Sequence, residues 1–506
     1  MARVAVIIPN YNGIQLLKRC LDSLAGQNFS DFEALVVDDA STDGSAEFIR
    51  AEYPEVGVIQ LEENAGFATA VNAGIRATSG EFVAILNNDT EVEPDWLSRL
   101  LGALDAHQDA GSAASKILWD DPRDTIYAAG DFFCREGFGG NIATGETDRG
   151  QRDEPGWVFS ASACAALYRR AMLDEIGLFD EQLFMFYEDI DLGFREQLAG
   201  WRCIYVPGSV VYHTGTATAG IFSDMRKFQL IRNELVVLAK NLPGPILRSN
   251  IKAILRQQFR ASIQALDEGR TSILLKARFG ALKALPYQLK ARRHIQSMRR
   301  VDPGHLEQMI RPYEEYYPPK EAQPGEWDVP AGEPSTGRRI LIIRSAGRLL
   351  SPAIEYARSG LGANAIDVLV MPGFEDTIPT EDGIRPITYP GRGRFCGITM
   401  PRSFARRLRK RGYDTTIVLR GGASGRGFLN IDLVALRAGA RDILYFNEDG
   451  PAHQFSRWGF AGRLARSSWE FLLILCAFTI SVALLLAIWV FGASDAKSPE
   501  NPELDQ

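Results

Sequence analysis

Apolar and polar positions follow a repeating order along the first ninety residues. Short runs rich in Val, Ile, Leu and Ala fall at 4–8, 34–37, 56–61 and 82–86, and polar residues follow each run. Between them, apolar residues recur at helical spacing over 14–24, 44–52 and 68–77. This βαβα order predicts a mostly parallel sheet with helices on both faces. A second α/β pattern starts after residue 338, with strands at 339–344, 367–370 and 414–419, and predicts a smaller Rossmann-like domain over 338–450.

Other stretches read differently. Residues 221–317 keep helical spacing, with Ile251, Ile254, Leu255, Phe259, Ile263 and Leu266 on one side and Lys252, Arg256 and Arg260 elsewhere around the turn. Residues 318–337 hold Pro318, Pro319, Pro324, Pro330 and Pro334 with three glycines, the composition of a linker. From Phe471 to Phe491 there are 21 residues without a formal charge, enough at about 1.5 Å per residue to cross a bilayer core of roughly 30 Å. A transmembrane helix is therefore expected over 469–491, followed by an acidic tail over 492–506.

Charge sharpens this picture. The 506 residues carry a net −7, yet from Arg226 to Arg300 there are 17 Lys and Arg against Glu234, Asp267 and Glu268, a balance of 17 − 3 = +14. That basic amphipathic stretch suits a surface lying on anionic lipid, with a plain solvated helical face as the rival. The acidic remainder argues against nucleic acid. Arg457, Arg463 and Arg466 precede the apolar segment and only Lys497 follows it, which orients the N-terminal side toward the cytoplasm. Met1-Ala2-Arg3 runs straight into the first strand without the pattern of a cleavable signal peptide, so a single-pass protein of the inner (cytoplasmic) membrane is expected. Six scattered cysteines form no Cys-x-x-Cys pair and suggest neither a zinc site nor a disulfide framework.

Candidate chemistry gathers at the ends of the predicted strands, where parallel sheets bind ligands. Pro9-Asn10-Tyr11-Asn12 follows the first strand, Asp38-Asp39 the second, Glu62-Glu63-Asn64 the third and Asn87-Asn88-Asp89 the fourth. The first turn has neither the glycines nor the spacing of a dinucleotide fingerprint, and no Walker Lys-Ser/Thr is present, so phosphates would be met most simply through a divalent cation. Asp89 is a natural oxygen ligand for Mg2+ or Mn2+. Taken alone, Asp38-Asp39 reads as a helix-capping cluster, His213 as a buried histidine, and Glu188, Asp189 and Asp191 as an acidic helix start.

Together with Asn64-Ala65-Gly66-Phe67-Ala68 and Phe186-Tyr187-Glu188-Asp189-Ile190-Asp191, these motifs occur in the order found in glycosyltransferase family 2, and residues 1–220 resemble that family. Within it the chain is most similar to bacterial rhamnosyltransferases of cell-surface polysaccharide assembly. The resemblance implies a GT-A catalytic domain and inverting transfer from a nucleotide-diphosphate sugar to a polyprenyl-diphosphate-linked or polysaccharide acceptor. It implies that Pro9, Tyr11, Asn12, Asp39, Asn64, Gly66, Phe67, Asn88 and Glu188 serve the donor site. Asp89 and His213 would hold Mn2+ or Mg2+, and Asp189 would be the general base. Asn87 departs from the family, which often has Asp there; an amide brings no charge to a metal, and its role stays open.

Two rivals remain. A processive synthase would need several spans and a Gln-x-x-Arg-Trp motif, whereas Gln197-Leu198-Ala199-Gly200-Trp201 has Gly before Trp. A non-catalytic membrane scaffold could retain the fold, with the 338–450 domain docking an unknown protein partner. That domain weakly resembles one half of a GT-B enzyme, with Arg344 near its first strand and Phe446-Asn447-Glu448 near its end. Its loop 421–427 lacks the phosphate-binding Lys-Ser/Thr.

Overall fold

The computed structural model describes residues 2–215, 224–267, 270–318, 338–344, 349–371, 374–379, 383–390, 395, 400–419, 429–439, 442–447, 450–454 and 457–491. The glycine-rich loop 421–427, Glu448, the acidic tail and all of the Pro/Gly-rich stretch after Pro318 lie outside them. Two compact units result: one joins Met1–Arg260 with Ile273–Tyr317 and the C-terminal stretch from Ala477, the other contains Pro318–Cys476 with Ala261–Ser272.

The first unit is built on β1 (Val4–Asn10), β2 (Phe32–Asp38), β3 (Gly57–Gln60), β4 (Phe82–Leu86), β5 (Thr90–Val92), β6 (Ala110–Trp119), β7 (Ile126–Ala129), β8 (Asp131–Phe133), β9 (Gly139–Asn141), β10 (Gly156–Val158), β11 (Ala165–Arg169) and β12 (Arg202–His213). Its large sheet runs β10-β12-β6-β11-β4-β1-β2-β3, parallel from β4 to β3 and mixed beyond. Every residue of Val4–Ile8 is fully buried, as expected of a central strand covered on both faces. The helices α1 (Ile14–Ala25), α2 (Ser45–Glu52), α3 (Phe67–Ala77), α4 (Trp96–Ala106), α5 (Arg170–Ile176) and α6 (Glu188–Leu198) supply those covers. Helix α1, for example, buries the stripe Leu17, Cys20, Leu21 and Leu24. The predicted elements before residue 90 all form, with ends shifted by a few residues.

The basic segment becomes α7 (Asp224–Asn241), α8 (Gly244–Asp267), α9 (Thr271–Lys283) and α10 (Leu285–Ser297). Helix α7 is fastened to α6 by buried charge. Asp191 accepts from Lys240 Nζ at 2.6 Å and from Asn241 Nδ2 at 2.7 Å, and Arg195 pairs with its other oxygen. Lys240 also pairs with Asp180. Burial pushes the Asp191 carboxyl up, but Lys240 and Arg195 prevail and hold it below its ordinary range. Arg292 donates to the carbonyls of Ala239 (3.0 Å) and Leu242 (2.8 Å), satisfying the end of α7. These basic residues are interior struts, so only part of the predicted basic face is available to a surface. Lys252, Arg256 and Arg260 are exposed. Phe259, placed by the sequence pattern on the apolar side, is also exposed, with its ring edge-on to Phe478.

The C-terminal helix runs Arg457–Phe491, and Leu472–Val490 is long and apolar enough to cross a membrane, with mean hydropathy 2.7. Leu484, Leu485 and Ile488 pack into one apolar cluster with Leu235, Val236 and Ile254, while Leu486, Trp489 and Val490 are exposed. In the second unit, strands Arg338–Ile343, Ala363–Val370, Ile384–Thr388, Thr415–Leu419 and Asp442–Asn447 form a parallel sheet in the order 3-2-1-4-5, closed by the antiparallel Gly450–Gln454. This is the Rossmann-like arrangement that the pattern predicts. Its buried Asp367 is paired with Arg411 and accepts from Tyr413 Oη at 2.7 Å.

Replacing Lys240 by Met would leave Asp191 and Asp180 buried beside fewer cations. The expected loss is about 3–5 kcal/mol, read as a lowered midpoint in denaturant unfolding. An unchanged midpoint would show that α7 is not held through this charge.

Candidate functional site

A cavity of about 360 Å³ opens at the carboxyl ends of β1, β2 and β4. Its walls include Pro9, Tyr11, Asp39, Asn64, Gly66, Phe67, Asn88, Asp89, Glu188, Asp189 and His213, eleven residues singled out from the sequence. Asn12 is not among them. Its Oδ1 accepts from the Thr42 backbone N–H at 2.8 Å and its own N–H donates to Ser41 Oγ at 2.8 Å, so it braces the turn after β2 instead.

Hydrogen bonds join the strand ends into one frame. Asn88 Nδ2 donates to Asn10 Oδ1 at 2.6 Å, and Asn10 Nδ2 donates to Asp38 Oδ1 at 2.9 Å. Asp39 accepts from the N–H groups of Ala65 (2.8 Å) and Gly66 (2.9 Å), one on each oxygen. Burial raises the Asp39 pKa, and these N–H groups oppose that shift. Each oxygen keeps a lone pair for a further donor. The carboxylate thus fixes the 64–67 loop and still faces the cavity.

Asp89 and His213 meet because β5 turns back after Asp89 and pairs with the end of β12, setting Thr90 opposite His213. His213 Nε2 stands 3.0 Å from Asp89 Oδ1, both side chains less than one-tenth exposed. Burial works against a charged imidazole, but Cys164 and Asp89 outweigh it and hold the His213 pKa at about 10. The Tyr127 ring packs edge-on to the imidazole. Once a divalent ion displaces the proton shared by this pair, one carboxylate oxygen and one imidazole nitrogen at this separation suit it, with water and phosphate oxygens as its remaining ligands. Among the described residues no group of three or more His, Cys, Asp or Glu is arranged to hold a metal alone. Asn87 Oδ1, two residues before Asp89 in the chain, is buried without a hydrogen-bond partner among the described residues.

Asp189 lies in the first turn of α6, where the helix dipole favours a carboxylate. Glu188 is buried beside it, and its Oε2 has no hydrogen-bond partner among the described residues. Burial raises the pKa of Asp189; burial together with the Asp189 charge raises those of Glu188 and Asp131. Asp131, on β8, also lines the cavity and accepts from Asn141 Nδ2 at 2.7 Å. The sequence shows Asp131 and Tyr127 in a region without a readable code, and only the fold brings them to the site. Met225, Arg226 and Leu230 of α7 also line the cavity, with the Arg226 guanidinium 5.5 Å from the Phe186 ring centre. Their basic segment reads as a surface in the sequence, so nothing local points to them as site residues.

Residues 5–177 match the family Glycosyl transferase family 2. N-acetylglucosaminyl-diphospho-decaprenol L-rhamnosyltransferase of Mycobacterium tuberculosis is 30% identical over 241 residues, covering 42% of this chain and 77% of that protein. Among solved structures, the mannosyltransferase PcManGT from Pyrobaculum calidifontis in complex with GDP-Man and Mn2+ is similar at 20% identity and a TM-score of 0.36, covering 58% of this chain and 75% of that one. S. aureus TarS 1-349 is similar at 19% identity and a TM-score of 0.39, covering 59% and 83%.

Gly66 has φ +89°, and a Cβ there would lie 2.4 Å from Phe184 Cδ2. Gly66→Ala should therefore destabilise this unit by about 1–3 kcal/mol through overpacking, measured by denaturant unfolding. Wild-type stability in that variant would mean that the 184–187 turn yields freely.

Proposed function

Because the chain belongs to glycosyl transferase family 2, we propose that it transfers L-rhamnose, by inversion, from dTDP-rhamnose to a polyprenyl-diphosphate-linked or growing polysaccharide acceptor at a membrane. The observation that carries this reading is the convergence of Asp39, Asp89, His213 and Asp189, from separate stretches of the chain, on one cavity at the strand ends. The similarity to the mycobacterial N-acetylglucosaminyl-diphospho-decaprenol L-rhamnosyltransferase supports rhamnose and a lipid-diphosphate acceptor.

In this reading Asp39, Pro9, Tyr11, Asn64, Gly66 and Phe67 receive the nucleotide. Asp89 and His213 would hold a divalent cation, which when bound supplies positive charge to offset that of the departing diphosphate. Arg226 is the one Arg or Lys lining the cavity among the described residues and would meet phosphate. Asp189 takes the proton of the acceptor hydroxyl as that oxygen bonds to the anomeric carbon, and the bond from that carbon to the nucleoside diphosphate breaks with its electron pair. The products are the inverted glycoside, the nucleoside diphosphate and a protonated Asp189. No covalent sugar intermediate forms on the chain.

The helix Leu472–Val490 would anchor the protein with the catalytic unit facing the cytoplasm, and the exposed Lys252, Arg256, Phe259 and Arg260 would rest against anionic headgroups. The full chain should then resist extraction from membranes at alkaline pH. Complete extraction would assign the helix to the protein core instead.

Transfer should be assayed with a panel of nucleotide sugars and lipid-extracted acceptors, with Mn2+ or EDTA. Asp189→Asn should lower kcat by at least about a thousandfold while nucleoside-diphosphate binding persists, consistent with general-base effects of 10²–10⁴. A fully active variant would remove Asp189 from the mechanism.

The base must be ionised, and burial raises its pKa. Activity should therefore fall on acidification through an apparent pKa above the ordinary aspartate value, reported jointly by the Asp131, Glu188 and Asp189 cluster. An acid limb at the ordinary value would contradict this.

A further inference from the structure

The backbone just before Asp189 is strained. Phe184, Phe186 and Tyr187 have φ of +64°, +66° and +71°, a region that bulky L-residues rarely occupy. Such a turn persists only where its surroundings over-determine it. Its carbonyls converge on one side chain, that of Asn233 on α7. Asn233 Nδ2 lies 2.8 Å from the Leu183 carbonyl oxygen, 2.9 Å from that of Met185 and 2.9 Å from that of Phe186. The side chain is fully buried. Its amide orientation is fixed from the other end, because Arg232 Nη1 donates to Asn233 Oδ1 at 2.7 Å and also to the Gln182 carbonyl at 3.0 Å. With its oxygen facing a guanidinium, the amide can only present its NH2 to the turn.

We infer that Asn233 is a positioning residue for the transfer reaction: it holds the 183–186 carbonyls so that the chain enters α6 with Asp189 aimed into the cavity. This rests on the reading of Asp189 as the base. Asn233 touches neither that carboxylate nor the cavity, so its effect passes through the turn alone. Two amide hydrogens shared among three carbonyls form a tight clamp, and no residue of another shape reproduces it. Asn233→Leu removes the donors at similar size. Asn233→Asp keeps the shape and sets a carboxylate against three carbonyl oxygens.

The test uses the full-length, detergent-solubilised protein. Steady-state transfer is measured for Asn233→Leu, Asn233→Asp and Asp189→Asn, alongside nucleoside-diphosphate binding, thermal unfolding and amide hydrogen exchange over 184–190. The expected result is a kcat at least tenfold lower for both Asn233 variants, with the donor KM within threefold and faster exchange in the turn. Adding Phe186→Gly to Asn233→Leu should recover several-fold in kcat, because glycine adopts positive φ without strain.

A folded Asn233 variant with kcat within twofold of wild type would overturn the inference while Asp189→Asn stayed inactive. Parallel losses in kcat, donor binding and unfolding temperature, without recovery by glycine, would overturn it in favour of a purely structural role. Activity retained in Asp189→Asn would instead remove the base reading on which the inference stands. If Asn233→Leu fails to fold, the shape-preserving Asn233→Asp decides the question by the same criteria.

Discussion

The site depends on one constrained piece of backbone, the turn at 184–187. Each of its three positive-φ aromatic residues costs about 1–3 kcal/mol, so the turn cannot hold its shape unaided. Its support comes from three distant parts of the chain. Gly66 admits the Phe184 ring, and Ala68 N–H donates to the Phe184 carbonyl at 3.3 Å. Gly139 N–H donates to Tyr187 Oη at 3.3 Å, and α7 contributes Asn233. The 64–68 loop, the β8–β9 hairpin and α7 must all be in place before Asp189 is.

Electrostatics follows from the same assembly. Asp39, Asp89, Asp131, Glu188 and Asp189 line one small cavity, against His213 and Arg226. Where basic partners are close, as at Asp191, the carboxylate stays low; where they are absent, burial lifts Glu188, Asp189 and Asp131. The folded state binds protons on these raised groups more tightly than the unfolded chain does. Their contribution to stability is complete below the unfolded carboxylate pKa and is lost as pH rises through the raised values. A cavity with this surplus of acid suits a cation, and a cation in turn suits a diphosphate.

Much of this was legible in the sequence because it is local. Alternating apolar runs mark β1 to β4, and the polar residues just beyond them fall on one crevice as soon as the sheet is parallel. Asp39 and Asp89 lie in the cavity for that reason, whereas Asp189 enters it from the first turn of α6. Asn12 shares the motif of Pro9 and Tyr11, yet a one-residue change in backbone direction at φ +50° turns it toward Thr42. Tyr127 and Asp131 were legible only as members of a pocket-shaping stretch without a readable code, and Arg226 at the cavity and Asn233 behind it were not legible at all, since each takes its place only through pairing across tens or hundreds of residues. Spacing cannot show which carbonyls an asparagine will meet.

The basic segment shows how composition misleads once chains fold. Of its 17 cations, Lys240, Arg278, Arg292 and Arg299 are buried, and the first three hold carboxylates or carbonyls of the same unit. A cation engaged in this way contributes nothing to a lipid surface, where each exposed Lys or Arg is worth about 1 kcal/mol. The same helix, α7, carries both Lys240 and Asn233, so its charge and its amide serve the geometry around α6. The exposed cations left over, such as Lys252, Arg256 and Arg260, lie on α8, while α7 turns its polar groups inward to α6 and the turn before it.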